Sequence, residues 1–437
     1  MNNSKQNSNK NISPENKTNR LGNILKVGWF LAKRQIKGSN KSTTLLIVFI
    51  MMLTFLNLVV ISGVLIGLIE GGNIANREQY TGDLIVKTIA GEKDIKHTYE
   101  LNNTLHNIPD ISEISVRYIE NGQVEANYKT RRDFNTLRDT AGTQVTGINL
   151  ADENSLSNLS KYVVEGEFLK EGESGYVLIG ANLLFRYSSD FGDAFASLDG
   201  VFPGDEVKIT VGENTKTFIV KGIVDSKVGE VSMRAFLTEE DFWRLVDRPI
   251  ANANEIAVKI KPNSIITGDD LKNNLVKAGF GNDGKIQTAV EAIPEFLNQI
   301  RLAFGLLGNV IGLIGIVVAS ITIFIVIFIN AVTRRKYIGI MKGIGISEKA
   351  IEVSYVFQSI FYAVLGGLLG LVITYGALVP LFLAHPLDFP FSDGILVAPV
   401  AGTMFKFALL MIVTLFAGYI PARMIVKKNT LDSILGR

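Results

Sequence analysis

The chain has 437 residues, 47% of them hydrophobic, with no cysteine, a formal net charge of +2 and a mean hydropathy of +0.26. It is too apolar for an ordinary soluble protein and too polar for a purely membranous one. Without cysteine, a disulfide framework, thiol chemistry and Cys-ligated zinc are excluded.

Residues 1–20 are rich in Asn, Lys and Ser and read as a disordered tail. Over 21–42, Leu21, Ile24, Leu25, Gly28, Leu31, Ala32 and Ile36 share one helical face, with Lys26, Lys33, Arg34 and Lys37 elsewhere and Trp29 at the boundary. This predicts an amphipathic basic helix on the membrane surface; a solvated helix packed on a partner protein is the alternative. Residues 43–69 form an apolar run long enough to cross a bilayer. It is too long for a signal-peptide core and reads as an uncleaved anchor.

Residues 70–297 have a charged, soluble composition with mixed signals. Gly82–Thr88, Ile114–Tyr118, Tyr176–Ile179, Glu206–Val211, Thr217–Val224 and Glu255–Ile260 are strand-like. Tyr99–Ile108, Thr238–Val246 and Asp269–Ala278 read as short helices, the second with Thr238 as N-cap. Ser188–Phe202 reads as a surface loop or lid. Three further spans follow at 300–333, 350–384 and 395–422, separated by loops at 334–349 and 385–394 and ending in a tail at 423–437. The expected fold is a membrane protein of four transmembrane α-helices, one plus three, with a large α+β extracytoplasmic domain between helices 1 and 2.

The charges orient this layout. Nine Lys/Arg and one acid precede Thr43; Arg334, Arg335, Lys336, Lys342 and Lys349 fill the 334–349 loop; Arg423, Lys427, Lys428 and Arg437 follow the last span. The 385–394 loop has Asp388 and Asp393 and no Lys or Arg. The positive-inside rule places both termini and the 334–349 loop in the cytoplasm, the large domain outside. Basic residues that flank spans do not suggest nucleic-acid binding.

No catalytic set emerges. His97, His106 and His385 are scattered, and HExxH, G-x-S-x-G and EF-hand patterns are missing. Gly38–Ser42 ends in Lys-Ser but lacks the glycine before Lys41 that a phosphate-cradling loop needs. Lys406 is the one strongly ionisable residue well inside a span, near enough to the outer interface to snorkel. The pairs Gly63/Gly67, Gly308/Gly312 and Gly366/Gly370 have small-xxx-small spacing, suited to packing within or between protomers.

The 334–349 loop continues past its basic start as Tyr337-Ile338-Gly339-Ile340-Met341-Lys342-Gly343-Ile344-Gly345-Ile346-Ser347. Its apolar spacing predicts a short helix lying on the membrane, with Ser347 capping the next span. The segment resembles the "RR-x-E-I-G-I-L-K-A-I-G-A-S" signature of the MacB/FtsX-like ABC transporter permeases, departing at Tyr337, where that family has Glu. Pro421-Ala422-Arg423 with Leu431–Leu435 resembles the family's C-terminal ending. Glu165–Phe168, Tyr176–Phe185, Pro203–Val207 and Phe218–Val224 resemble blocks of its outer domain.

The resemblance implies a non-enzymatic permease subunit in a bacterial cytoplasmic membrane. It holds no cofactor itself; ATP and Mg sit on two copies of a separate cytoplasmic ABC ATPase. Arg334, Arg335, Ile338, Gly339, Met341, Lys342, Gly343 and Gly345 would meet that ATPase. The permease would pair with itself or a paralogue among membrane lipids, and an extracytoplasmic adaptor stays open. The implied work is export or extraction of a peptide, drug or lipid-linked substrate. The alternatives are an FtsX-like signalling scaffold acting on a partner such as a cell-wall hydrolase, and a sensor of an outer ligand.

Overall fold

The computed structural model describes residues 14–129, 138–188, 197–247, 252–293, 295–389 and 392–427. Residues 1–13, most of the Ser188–Phe202 loop and the Leu431–Leu435 ending lie outside the described residues. The chain divides into two compact units. One comprises Met1–Gly67, Arg301–Pro386 and Ile395–Arg437, the other Leu68–Ile300 and Leu387–Gly394.

Helix α1 spans Pro14–Lys37, so it starts seven residues before the expected Leu21. Pro14 fits a first helical turn because it has no N–H to leave unpaired there. Helix α2 spans Lys41–Asn76 and passes into a π-helical turn at Arg77–Thr81. It therefore outlasts the apolar run that ends at Ile69, and its last turns belong to the outer unit. The turn stops at Gly82, where φ is +63° and a β-carbon would lie 2.4 Å from Val258 O, a combination only glycine accepts without strain.

The outer unit then runs β1 (Leu84–Lys87), α3 (Thr98–His106), β2 (Ile111–Ala126), β3 (Asp139–Ile148), α4 (Leu150–Ser157), β4 (Val163–Gly166) and β5 (Tyr176–Gly180). It continues through α5 (Phe185–Ser188), β6 (Glu206–Val211), β7 (Asn214–Val224), α6 (Gly229–Ser232), β8 (Arg234–Thr238), α7 (Glu239–Val246), β9 (Glu255–Ile260), α8 (Gly268–Lys277) and β10 (Lys285–Thr288). Thr238 caps α7 by accepting from Asp241 N–H. Thr267 and Asp270 form a capping box on α8.

One sheet holds all ten strands, and it has two parts that share β2. The first half of β2 pairs with β9, which continues to β1 and β10 as an open antiparallel sheet. Leu101 and Leu105 of α3 and Leu271 and Leu275 of α8 bury against it with Leu84, Val86, Ile256 and Val258. The second half of β2 pairs with β3 on one side and β6 on the other. Since β3 pairs with β8, β8 with β5, β5 with β7 and β7 with β6, these six strands close on themselves. Inward-facing Val124, Val145, Val177, Ile179, Val207, Ile209, Phe218 and Leu237 fill this small barrel.

The membrane unit resumes with α9 (Glu295–Thr333), α10 (Arg335–Gly343) and α11 (Glu348–Ile373). Helix α11 passes through a π-helical turn at Thr374–Leu378 into α12 (Val379–Ala384). The hairpin β11 (Leu387–Phe389) and β12 (Ser392–Gly394) leads to α13 (Val400–Val426). Four helical stretches are long and apolar enough to cross a membrane, at Lys41–Thr81, Asn298–Thr333, Glu348–Ala384 and Val400–Val426. The fold class is therefore four membrane helices with an α+β domain between the first and second. The fourth helix starts five residues later than expected, after the extended Pro399, and runs on through Pro421 to Val426.

Two glycine pairs pack inside the protomer. A β-carbon on Gly366 would lie 2.5 Å from Met51 Cβ, and one on Gly370 2.5 Å from Phe55 Cδ1, so α11 and α2 touch backbone to side chain. Gly63 and Gly67 are closed over by Leu396, Val397 and Ile395. Gly308 and Gly312 have more room, 3.3 Å to Leu65 and 3.5 Å to Leu58. Helix α1 lies alongside the start of α11. Gly28 meets Val353, Trp29 sets its ring edge-on to Phe357 at 5.4 Å, and Gln35 bonds Gln358. Gly28 and Ala32 of the expected apolar face are thus buried, while Leu21 (59%) and Leu25 (50%) stay exposed.

Candidate functional site

Two features stand apart from ordinary packing. The first is α10, between the second and third membrane helices. Its end is a full glycine-terminated cap: Gly345 has φ +91°, its N–H reaches Lys342 O at 3.0 Å, and Ile346 N–H reaches Met341 O at 3.0 Å. Ser347 accepts from Ala350 N–H at 3.3 Å and starts α11. A helix, a tight reversal and a cap leave α10 no slack against α11.

The faces of α10 differ. Ile338 and Gly339 are buried, and Met341 packs against the bundle core. Lys342 reaches inward, with Nζ 2.9 Å from Val426 O and 2.8 Å from Glu348 Oε1. Outward stand Tyr337 (68% exposed), Ile340 (44%) and Ile344 (73%), with Lys336 and Gly343 beside them. A β-carbon on Gly343 would meet nothing within 4 Å. Of the expected contact residues, Ile338, Gly339, Met341 and Lys342 therefore build the helix into the bundle. Arg334 and Arg335 are half-buried, while Gly343 and Gly345 are exposed. The sequence groups Ile344 with Ile338 and Met341 on one apolar face and marks Tyr337 only as a departure from the family signature; the structure instead turns Ile344 outward with Tyr337 and Ile340. Their 3–4 residue spacing, out of phase with Ile338 and Met341, was the available signal.

The second feature is a charge cluster inside the outer unit. Asn149 caps α4, accepting from Ala151 and Asp152 N–H, which turns Glu153 inward one turn later. Arg117 stands where β2 leaves β9 for β3. It donates from Nε to Glu153 Oε2 (2.7 Å) and from Nη2 to Glu153 Oε1 (2.8 Å) and Tyr80 O (2.9 Å). Arg234 on β8 grips Glu255 on β9 with Nη1–Oε2 3.0 Å and Nη2–Oε1 2.9 Å. Tyr80, from the π-helical turn, donates to Glu255 Oε1 at 2.6 Å and accepts from Arg234 Nη2 at 3.1 Å. Both guanidinium groups lie over its ring, 5.1 Å from the centroid. Ser115 and Ser157 complete Glu153, each donating at 2.7 Å.

All four charges are buried. Burial alone would push the two carboxyls up. Together the Arg234 and Arg117 guanidinium groups outweigh it for Glu255, and Arg117 with the Ser115 and Ser157 hydroxyls does for Glu153, so both carboxyls titrate below their usual range. The cluster has bonded partners on every carboxylate oxygen, and its chemistry is structural. Among the described residues no group of His, Asp and Glu could hold a metal ion. His97 and His106 are exposed and lie in different contacts, with Asp283 and with Asn102 O. Lys406 is half-buried in α13 and donates to Ser62 Oγ on α2.

Comparison with known proteins supplies a family context. Residues 309–430 match the model of the FtsX-like permease C-terminal domain. The ABC transporter permease YtrF of Bacillus subtilis (strain 168) is 26% identical over 156 residues, 36% of this chain and 34% of that protein. The macrolide export ATP-binding/permease protein MacB of Neisseria gonorrhoeae is 27% identical over 186 residues, 42% of this chain and 28% of that protein. The uncharacterized ABC transporter permease MJ1507 of Methanocaldococcus jannaschii is 24% identical over 280 residues, 63% of this chain and 65% of that protein. The chain thus spans about a third of the first two relatives' length. Among solved structures, the periplasmic region of MacB from Actinobacillus actinomycetemcomitans aligns at 14% identity and a TM-score of 0.33, over 47% of this chain and 87% of that one.

Proposed function

From the premise that residues 309–430 are an FtsX-like permease domain in a chain related to ABC transporter permeases, we propose that this protein couples a separate cytoplasmic ABC ATPase to its outer domain. ATP hydrolysis on two ATPase copies moves the outer domain, which exports or extracts a peptide, drug or lipid-linked substrate. The chain itself is the non-catalytic subunit. It lies in a bacterial cytoplasmic membrane with both termini inside, and it works as a dimer with itself or a paralogue.

The observation that carries this reading is α10. Its inner face is fixed to the bundle by Ile338, Met341 and Lys342, while Tyr337, Ile340 and Ile344 stand in the open. A rigid apolar knob on a short helix between two spans suits a groove on a partner protein. Lys406 is the one strongly ionisable residue that the sequence places well inside a span. So sparse a set suits work done on the outer side better than a relay through a pore. The size of the outer domain, with both a barrel and an open sheet, favours handling of cargo over relay of a signal.

The test is co-purification with a candidate cytoplasmic ATPase and measurement of ATP turnover in nanodiscs. Gly343→Asp is expected to leave folding intact, because a side chain there meets open space. It should cut permease-dependent turnover by about tenfold or more, the effect of about 1.4 kcal/mol lost at the contact. Full turnover in the Gly343→Asp variant, with the ATPase bound, would refute the contact assigned to α10. Coupled turnover without movement of any cargo would favour the signalling alternative.

A further inference from the structure

The segment between β7 and β8 joins two elements that arrive from the membrane helices. Gln79, in the π-helical turn that ends the first helix, accepts from Ser226 Oγ–H at 2.8 Å and from Lys227 N–H at 3.1 Å. Ser226 is braced in turn by Ser232, which donates to Ser226 O at 2.9 Å and accepts from Ser226 N–H at 2.8 Å. The Lys227 side chain points the other way, into the hairpin between the third and fourth membrane helices. Its ammonium pairs with Asp388, donates to Phe389 O at 3.0 Å and stands 3.8 Å from Asp393. A few residues on, Arg234 enters the buried cluster that holds Tyr80.

We infer that Gln79, Ser226 and Lys227 form a positioning hub. It fixes the outer end of the first helix and the β11–β12 hairpin to one point of the outer sheet. One surface ion pair contributes little, but this ammonium has three oxygen partners on one hairpin, and its neighbour Ser226 is buried. Displacement of the first helix or of the third–fourth pair is then delivered to the start of β8 rather than lost in connecting loops. The inference rests on the permease reading only for the source of that displacement.

The chain has no cysteine, so introduced ones report alone. Spin labels at Asn214 and Leu387, both exposed, measure sheet to hairpin in the full chain in nanodiscs, without ATPase. The expected result is one narrow distance in the parent. It broadens with Lys227→Glu and narrows again when Asp388→Lys is added. A Glu78–Asn214 label pair should stay narrow throughout, which separates loss of the clamp from unfolding. An unchanged distribution in Lys227→Glu, or no recovery in the reversed pair, overturns the hub. With ATPase present, Lys227→Glu should lower nucleotide-driven movement of the Asn214 label severalfold, and the reversed pair should restore it. Parent-level movement with the clamp broken also overturns the hub. If no ATPase binds, the permease reading fails, and the label distances alone decide whether the hub exists.

Discussion

Burying Arg117, Glu153, Arg234 and Glu255 is expensive, and a partner on every carboxylate oxygen makes it tolerable. Removing one member should therefore cost as much as truncating a large apolar side chain nearby. Glu255→Gln leaves Arg234 short of a charge partner, and the expected loss is about 3–5 kcal/mol, read as a lowered midpoint in thermal unfolding of the full chain. The pH dependence has a definite sign. The folded-state carboxyls titrate below the ordinary 4.5, so they stabilise fully above that value. The contribution disappears as pH falls below about 4.5 toward the depressed folded values, where the unfolded chain binds the extra protons. Melts from pH 7 to pH 3 should show a drop that Glu255→Gln makes smaller, with the share that belongs to Glu153 and Arg117 remaining. None of this was legible in the sequence. Arg117 and Glu255 are 138 positions apart, and each on its own is one more charged residue in a polar stretch.

At the scale of elements, the tight glycine contacts set how α2 and α11 meet. Gly366→Leu must push Met51 and the α2 backbone aside, and the expected cost is about 1–3 kcal/mol of overpacking. Gly308→Ala, with 3.3 Å to a flexible Leu65 tip, should change stability little. Thermal unfolding in one detergent compares the two, and equal losses would place α11 elsewhere. The membrane helices were readable from composition because bilayer length is a strong signal. The strands were readable where β-branched residues alternate, as in Glu206–Val211. Strand β3, with its Thr and Gly, carries too little apolar character to stand out, and β8 is short and buried at most positions. The outward face of α10 could have been read from its period, whereas the inward reach of Lys342 to Val426 joins parts of the chain that no local pattern connects.

For the whole molecule, the proposed topology has both ends of the chain on one side of the membrane and the outer domain on the other. In intact cells, a cysteine at Ile265 (96% exposed) should react with an impermeant maleimide, while one at Tyr337 should react only after the membrane is opened. Reaction at both before lysis would break the proposed topology. The family model meets the chain at its C-terminal membrane part, residues 309–430, and the outer domain lies outside that match.

Strand β2 is a member of both the open sheet and the barrel, with Arg117 at the changeover. Neither half can be finished while the other is absent, because each lacks a strand that the other also uses. The outer domain must therefore ripen as one cooperative unit whose pairings span distant stretches of chain, a slow topology to reach. Exchanging one half for that of a relative would leave a seam along the shared strand. Recombination that respects this protein has to carry the domain whole.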